Sequence, residues 1–406
     1  MIRSLYICYF GLREPLVQTQ VLPYLKELAK GGVGVTLLTF EPDADEGWDE
    51  ESIEAERRSL SDAGIEWRHL KYHKRPSVPA TLYDIAAGAL FAKRLVRRNA
   101  IDVVHCRAHI PLAMGLIAKR LTGAHLIFDI RGFMADEYAD AGIWEAGSLP
   151  FRAVKWLEAA GLRRADQIVV LTVKAKSYLI GERDVSEEKI EVIPCCVAFP
   201  AEDPGIAGSK RDRFELIYAG TVSGLYLLPE MADLFAELKR SEPDAFFRVL
   251  TFGGREAVQR VFKEKGVENS DYAVESVAPD RVADTVARAH LAISFRKPTF
   301  AQIAASPTKI PEYLSAGVPV ITNSGIGDTD EFVKRHRVGV VVDGFDRETL
   351  AAAVVEALLL AKSDDIAERC REAASDGYSM ELVGGPRYRS VYAKIGTEPE
   401  TGKKKV

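Results

Sequence analysis

The sequence predicts an α/β fold made of two doubly wound parallel-sheet domains. Three observations carry this. The chain has 406 residues, more than one hydrophobic core normally organises. Short apolar strands alternate with helical stretches in both halves, the signature of repeated βαβ units. Between the halves, residues 199–213 read FPAEDPGIAGSKRDR, a Pro-, Gly- and charge-rich run expected of an interdomain linker.

Residues 5–10 form an apolar run closed by Gly11, which reads as a buried parallel strand. A helix is expected over 18–30, where Val21, Leu25 and Leu28 share one face, and Gly31-Gly32 stops it. Strands follow at 33–40, 102–105, 125–130, 167–171 and 190–194, with a helix at 110–120. The alternation restarts after the linker, with strands at 214–219, 246–252, 291–295, 318–322 and 338–342. Helices are expected at 227–238, 281–289, 308–316, 350–360 and 366–374. The expected domains are thus 1–198 and 214–375, followed by a terminal helix over 376–395 carrying Tyr388, Val391 and Tyr392, and a polar, frayed tail over 396–406.

A net charge of -5 argues against a dedicated nucleic-acid binder, which needs clustered surplus Lys and Arg. The opening MIRSLYICYF is too short for a signal peptide, and no stretch is apolar enough to cross a bilayer, so a cytoplasmic protein is expected. Five Cys without CxxC spacing suit a reducing compartment. No cluster has metal-ligand spacing, and no metal or other cofactor is expected.

In open parallel sheets, ligands sit beyond the carboxyl ends of the strands. Gly11 follows the first strand there: it lets backbone amides approach an anion or simply makes a turn, and it is not part of a GxGxxG motif. After the first strand of the second half come Gly220, Thr221, Val222, Ser223 and Gly224, two glycines and two hydroxyls able to wrap a diphosphate. The most informative stretch runs from Arg296 to Glu331. Ser306, Pro307 and Thr308 stand at a helix start, where hydroxyls cap free amides and an anion is favoured. Lys309 follows, and Glu312 lies one turn on, where its two oxygens suit a ribose diol. The plainer reading of Lys309 and Glu312 is a surface i,i+3 pair.

These residues resemble the retaining GT-B glycosyltransferases of family 4. The most specific stretch is SPTKIPEYLSAGVPVI, Ser306 to Ile321, joined by FDIRGF with Glu137 downstream, VIPCCV at 192–197, and IYAG with the loop to Tyr226. The resemblance implies two Rossmann-like domains facing each other across a cleft, with donor mainly on the second, acceptor mainly on the first, and a terminal helix crossing back. It places the second glutamate of the family's E-x7-E pattern on Glu312, as a donor-ribose ligand, and the first on Ala304, where no carboxylate stands. The family's diphosphate-binding Arg and Lys are missing from GTVSGLY; Arg296 or Lys297, with Lys309 and the Gly220 loop, is expected to replace them. Arg131, in the position of a family His-Gly pair, is expected to contact donor phosphate or sugar, or else to pair structurally with Asp129. Arg13, His105, His109, Asp129 and Glu137 are candidates for the acceptor or sugar side, with loop capping as the alternative for the two histidines.

The implied activity is retaining transfer of a sugar from a UDP- or GDP-sugar to a hydroxyl of a carbohydrate, lipid-linked or small-molecule acceptor, in bacterial polysaccharide or glycoconjugate synthesis. Lys309, Lys297 and Arg131 are the candidate catalytic cations, stabilising the departing diphosphate. The competing readings are a sugar-nucleotide epimerase of the same shape, an NAD-dependent oxidoreductase, disfavoured by the missing GxGxxG, and a degenerate sugar-nucleotide-binding protein. Residues 71–98 mix basic residues with an apolar helical face. They read either as a peripheral contact to an anionic membrane or as a helix packed on its own sheet.

Overall fold

A computed structural model describes residues 1–42, 49–199, 210–222 and 224–396. Most of the expected linker (200–209), Ser223 and the tail from 397 lie outside the described residues. The chain forms two compact units, Met1–Pro194 with the segment from Met380, and Cys195–Ser379.

The first unit holds seven parallel strands: β1 (Arg3–Ile7), β2 (Gly34–Glu41), β3 (Ile65–Lys71), β4 (Val103–Arg107), β5 (His125–Asp129), β6 (Gln167–Val170) and β7 (Ile190–Val192). Their order is β3-β2-β1-β4-β5-β6-β7. The second unit holds six: β8 (Glu215–Ala219), β9 (Phe246–Leu250), β10 (Tyr272–Glu275), β11 (Leu291–Ser294), β12 (Val320–Asn323) and β13 (Gly339–Val342), in the order β10-β9-β8-β11-β12-β13. Both orders reverse direction beside the first strand of the unit, between β1 and β4 and between β8 and β11. That reversal opens a crevice where doubly wound sheets bind ligands.

Helices cover both faces of a parallel sheet, so its central strands are apolar throughout. All five residues of β4 and of β8 are buried. The two strands absent from the sequence reading, β3 and β10, are edge strands with exposed or half-buried positions among the buried ones. Their polar residues (IEWRHLK, YAVE) break the apolar run by which the central strands are recognised.

The single helix expected over 18–30 is two, Pro15–Gln20 and Leu22–Lys30, broken at Val21. Pro23 has no amide hydrogen to donate inside a helix and sits in the first turn of the second, where none is needed.

Residues 195–199 belong with the second unit because Cys195 donates its amide to Ser306 Oγ (3.0 Å) and Val197 donates to the carbonyl of Tyr378 (2.8 Å). The chain re-enters the first unit at Met380 through one π-helical turn and ends in the helix Gly385–Gly396. Two buried tyrosines hold that helix. The Tyr388 hydroxyl donates to Asp129 Oδ2 (2.8 Å), and Tyr392 shares hydrogen bonds with Ser4 Oγ (2.8 Å) and His105 Nδ1 (2.9 Å). Asp129 is fully buried, with Arg131 at 3.5 Å, His105 at 3.5 Å and Arg107 at 3.9 Å. Burial pushes its pKa up, but those three neighbours outweigh burial and hold the carboxyl well below its ordinary value. Tyr388→Phe removes a hydrogen bond to a buried charge, so a loss of about 1.5–3 kcal/mol in urea unfolding is expected; an unchanged midpoint would show that the helix is held by packing alone.

Candidate active site

The second unit's switch point, beyond the carboxyl ends of β8 and β11, gathers the residues of interest. Gly220 follows β8 at φ +147°, and a Cβ built there would collide with Cε and Nζ of Lys309. Glycine is therefore required twice over, by its backbone and by the lysine lying on it. The loop then returns along β11: Lys297 donates its amide to the Leu225 carbonyl (2.8 Å), Leu227 donates to Phe295 (3.1 Å), and Tyr226 forms an antiparallel bridge with Arg296.

Tyr226 is the hub. Its ring lies 4.2 Å from Lys309 Nζ and 4.9 Å from the Arg296 guanidinium. Its hydroxyl accepts from Lys309 Nζ (2.8 Å) and Arg296 Nη1 (3.4 Å). Burial raises the phenol's pKa, yet the charges of Lys309 and Arg296 outweigh that and bring it below its ordinary value. The Arg296 backbone is fixed by Asn323 at the end of β12, which accepts from the Arg296 amide (2.8 Å) and donates to its carbonyl (2.9 Å). Arg296 Nε is buried with no hydrogen-bond partner among the described residues.

Lys309 is buried and in no ion pair among the described residues, which excludes a surface pair with Glu312. Glu312 makes no side-chain hydrogen bond among them either. Burial raises its carboxyl from the ordinary 4.5 to about 7, against the opposing charge of Lys309. Two cations without carboxylate partners among the described residues and a carboxyl poised near neutrality are chemically suited to an anion and a diol side by side.

The helix mouth contributes less than the sequence suggested. The helix Lys309–Ser315 has only seven residues, and Thr308 at its N-cap makes no side-chain cap bond. Ser306 Oγ is engaged by Cys195, and the Ile310 and Glu312 amides already donate to the Pro307 and Thr308 carbonyls. Positive charge here comes chiefly from side chains. Thr221, Gly224 and Lys297 are exposed around the same loop, Ser223 lies outside the described residues, and Ala304 is buried without a polar side chain.

Gln302, in the 3-10 turn Phe300–Ala304, is fully buried with both amide atoms unpaired among the described residues. Nothing in the sequence marked it. Leaving such groups unbonded costs about 1–3 kcal/mol, so Gln302→Leu is expected to be neutral to stabilising in urea; a loss above about 1 kcal/mol would mean that the amide has a protein partner.

The candidates on the first unit do not assemble in this way. His105, His109 and Asp129 are buried inside it, His105 between Asp129 and Tyr392, and His109 against Glu158 (3.3 Å). All three side chains are bonded inside the fold and are not exposed in this structure. Gly11 faces Glu41, whose carboxylate accepts the Leu12 amide at 2.9 Å, so the protein itself supplies the anion at that turn. Arg131 lies beside Asp129, as the structural alternative had it. Glu137 folds over Gly132, which has φ +152° and no room for a Cβ. Arg13 is exposed, 3.9 Å from Glu56.

The site left unread lies at the crest of the first unit. His73 Nδ1 meets the buried Asp84 carboxylate at 2.5 Å, and the Tyr9 hydroxyl donates to the same carboxylate at 2.7 Å. Only the strand end at β3 would have exposed it, and that strand was missed.

Residues 17–196 match the family model described as glycosyl transferase 4-like domain. No curated protein matches by sequence. Solved structures share the fold over nearly the whole chain. Sucrose-phosphate synthase of Thermosynechococcus elongatus is 14% identical (TM-score 0.70, 97% of this chain and 100% of that one). A glycosyltransferase of Rickettsia africae is 14% identical (TM-score 0.68, 98% and 99%). Alr3699/HepE of Anabaena, solved with UDP-glucose, is 13% identical (TM-score 0.67, 97% and 100%). Residues 17–196 thus resemble a glycosyl transferase 4-like domain, and the two parallel-sheet units have the GT-B fold of these solved structures.

Proposed function

We propose that the chain moves a sugar from a nucleotide sugar to a hydroxyl acceptor with retention of anomeric configuration. The observation that carries the reading is the buried, ion-pair-free Lys309 lying on Gly220, with Arg296 across Tyr226 and Glu312 one turn on. A buried cation without a counter-charge is costly unless an anion meets it in the working state. A donor diphosphate supplies that anion, and Glu312 accepts from the ribose hydroxyls of the same molecule.

In this reading Lys309 and Arg296 stabilise the charge that builds on the diphosphate as the anomeric bond breaks, and Lys297 adds to the field from the loop edge. The departing phosphate takes the acceptor's proton, so neither a protein nucleophile nor a metal is required. Arg131, beside Asp129, is the first unit's candidate for the donor phosphate or sugar, and Arg13 and Glu137 are its candidates for the acceptor or sugar side. Alr3699/HepE binds UDP-glucose on the same fold, which makes a UDP-sugar the first donor to test and a GDP-sugar the second. The setting proposed is cytoplasmic synthesis of a polysaccharide or glycoconjugate.

The test is a panel of nucleotide sugars screened by thermal shift, then incubated with hydroxyl acceptors, with the anomeric configuration of the product read by NMR. An inverted product removes the retaining mechanism. Conversion of a donor incubated alone indicates an epimerase, and donor binding without turnover across acceptors indicates a sugar-nucleotide-binding protein.

A further inference from the structure

The helix Ser77–Asn99 packs on the first unit through Ala80, Gly88, Ala89, Ala92, Leu95 and Val96. Residues 82, 83, 86, 90, 93, 94 and 97 follow the i, i+3, i+4 rhythm and lie on the other side. That side is divided along its length. Toward the N-terminus Leu82, Tyr83 and Leu90 are each more than 60% exposed, as is Val78 at the helix start. Toward the C-terminus Lys93, Arg94, Arg97 and Arg98, with Leu90, line an open cavity of about 500 Å³.

Three features separate this face from an ordinary solvated helix. Its four cations form no ion pair among the described residues, although the chain as a whole carries a net charge of -5. The helix's only acidic residue, Asp84, is buried and turned inward to Tyr9 and His73. The apolar surface also continues onto the neighbouring helix His109–Thr122, where Ile117 and Leu121 are partly exposed and Arg97 donates to the Leu121 carbonyl at 3.1 Å.

From these features we infer that this face is a docking surface for an anionic lipid membrane, lying in the headgroup plane with Leu82, Tyr83 and Leu90 inserted and the cations on lipid phosphates. A duplex or single-stranded nucleic acid would use the cations but leave three large exposed apolar side chains in water. A lipid surface uses both halves of the face. At 23 residues and about 1.5 Å per residue the helix offers roughly 35 Å of contact length, and no helix of the described residues is long and apolar enough to cross the bilayer. The inference rests on the first unit alone and stands apart from the donor site.

The full chain is to be sedimented with phosphatidylcholine vesicles and with vesicles containing about 30 mol % phosphatidylglycerol, at low and high salt. The expected result is binding to the anionic vesicles only, weakened about tenfold by high salt. About tenfold loss is expected in the triple variant Lys93→Gln, Arg94→Gln, Arg98→Gln, and a comparable loss in Leu82→Ser with Leu90→Ser. Arg94, Arg98, Leu82 and Leu90 are exposed and Lys93 is half-exposed, so circular dichroism and melting temperature should match the wild type. Absence of binding to anionic vesicles overturns the inference, as does undiminished binding by both variants. So does binding of a DNA oligonucleotide that the triple variant loses while vesicles are ignored.

Discussion

Lys309→Met is expected to lower kcat/KM by about 10²–10³-fold while leaving the urea midpoint unchanged or raised. Most damaging substitutions of buried residues lower activity and stability together. Here the two should separate, because the lysine is buried without an ion pair and carries its desolvation cost in the free protein. Methionine has similar length and no charge, so it removes the cost and fills the space over Gly220. Arg296→Met should cost less, on the order of tenfold, because its guanidinium reaches the Tyr226 hydroxyl only at 3.4 Å. The double variant should fall short of the product of the two, since in the proposed reaction both cations would act on one phosphate group. Steady-state kinetics and urea unfolding on the three variants decide the matter. A drop in stability that accounts for the lost activity would return Lys309 to a structural role.

How far this site could be read from the sequence is shown by its two strand-ending glycines. Gly11 and Gly220 have the same local signature, a short apolar strand followed by glycine and then a helix. Their surroundings are opposite: Gly11 meets the carboxylate of Glu41, and Gly220 meets the ammonium of Lys309. The difference lies in residues far along the chain, brought in by the neighbouring strand and by a helix of the same unit, and no local pattern encodes it. The central strands were legible because burial on both faces forces an unbroken apolar run. The edge strands β3 and β10 escape that constraint, and with β3 went the His73–Asp84 pair just beyond it. Asp129 and His105 were read as candidates for the acceptor or sugar side, and the sequence offered no means to see that Tyr388 and Tyr392, more than 250 residues away, would come back to bond them. Glu312 was found through its motif, whereas the burial that raises its pKa was not visible there.

That raised pKa gives the second large prediction, for Glu312→Gln. Folding moves the carboxyl from 4.5 to about 7, so the native state holds the proton more tightly than the unfolded chain. Its penalty on stability is absent below about pH 4.5, grows through the interval, and is complete above about pH 7. Glutamine removes the penalty: at pH 8 the variant should be more stable by about 1–3 kcal/mol, discounted for partial exposure, and the gain should vanish near pH 4.5. Donor binding should move the other way. A carboxylate accepts from both hydroxyls of a diol, whereas an amide offers one oxygen and leaves one hydroxyl without an acceptor, at a cost of about tenfold to a hundredfold in affinity. If binding requires the ionised form, wild-type affinity rises about tenfold per pH unit up to about pH 7 and is flat above it, and the variant shows no such slope. The titration must use the intact nucleotide sugar, because a free nucleoside diphosphate carries a terminal phosphate that itself titrates near pH 6. Calorimetry across this range separates the cases: parallel pH profiles for the wild type and Glu312→Gln would mean that the carboxylate does not touch the donor, whatever its effect on the fold.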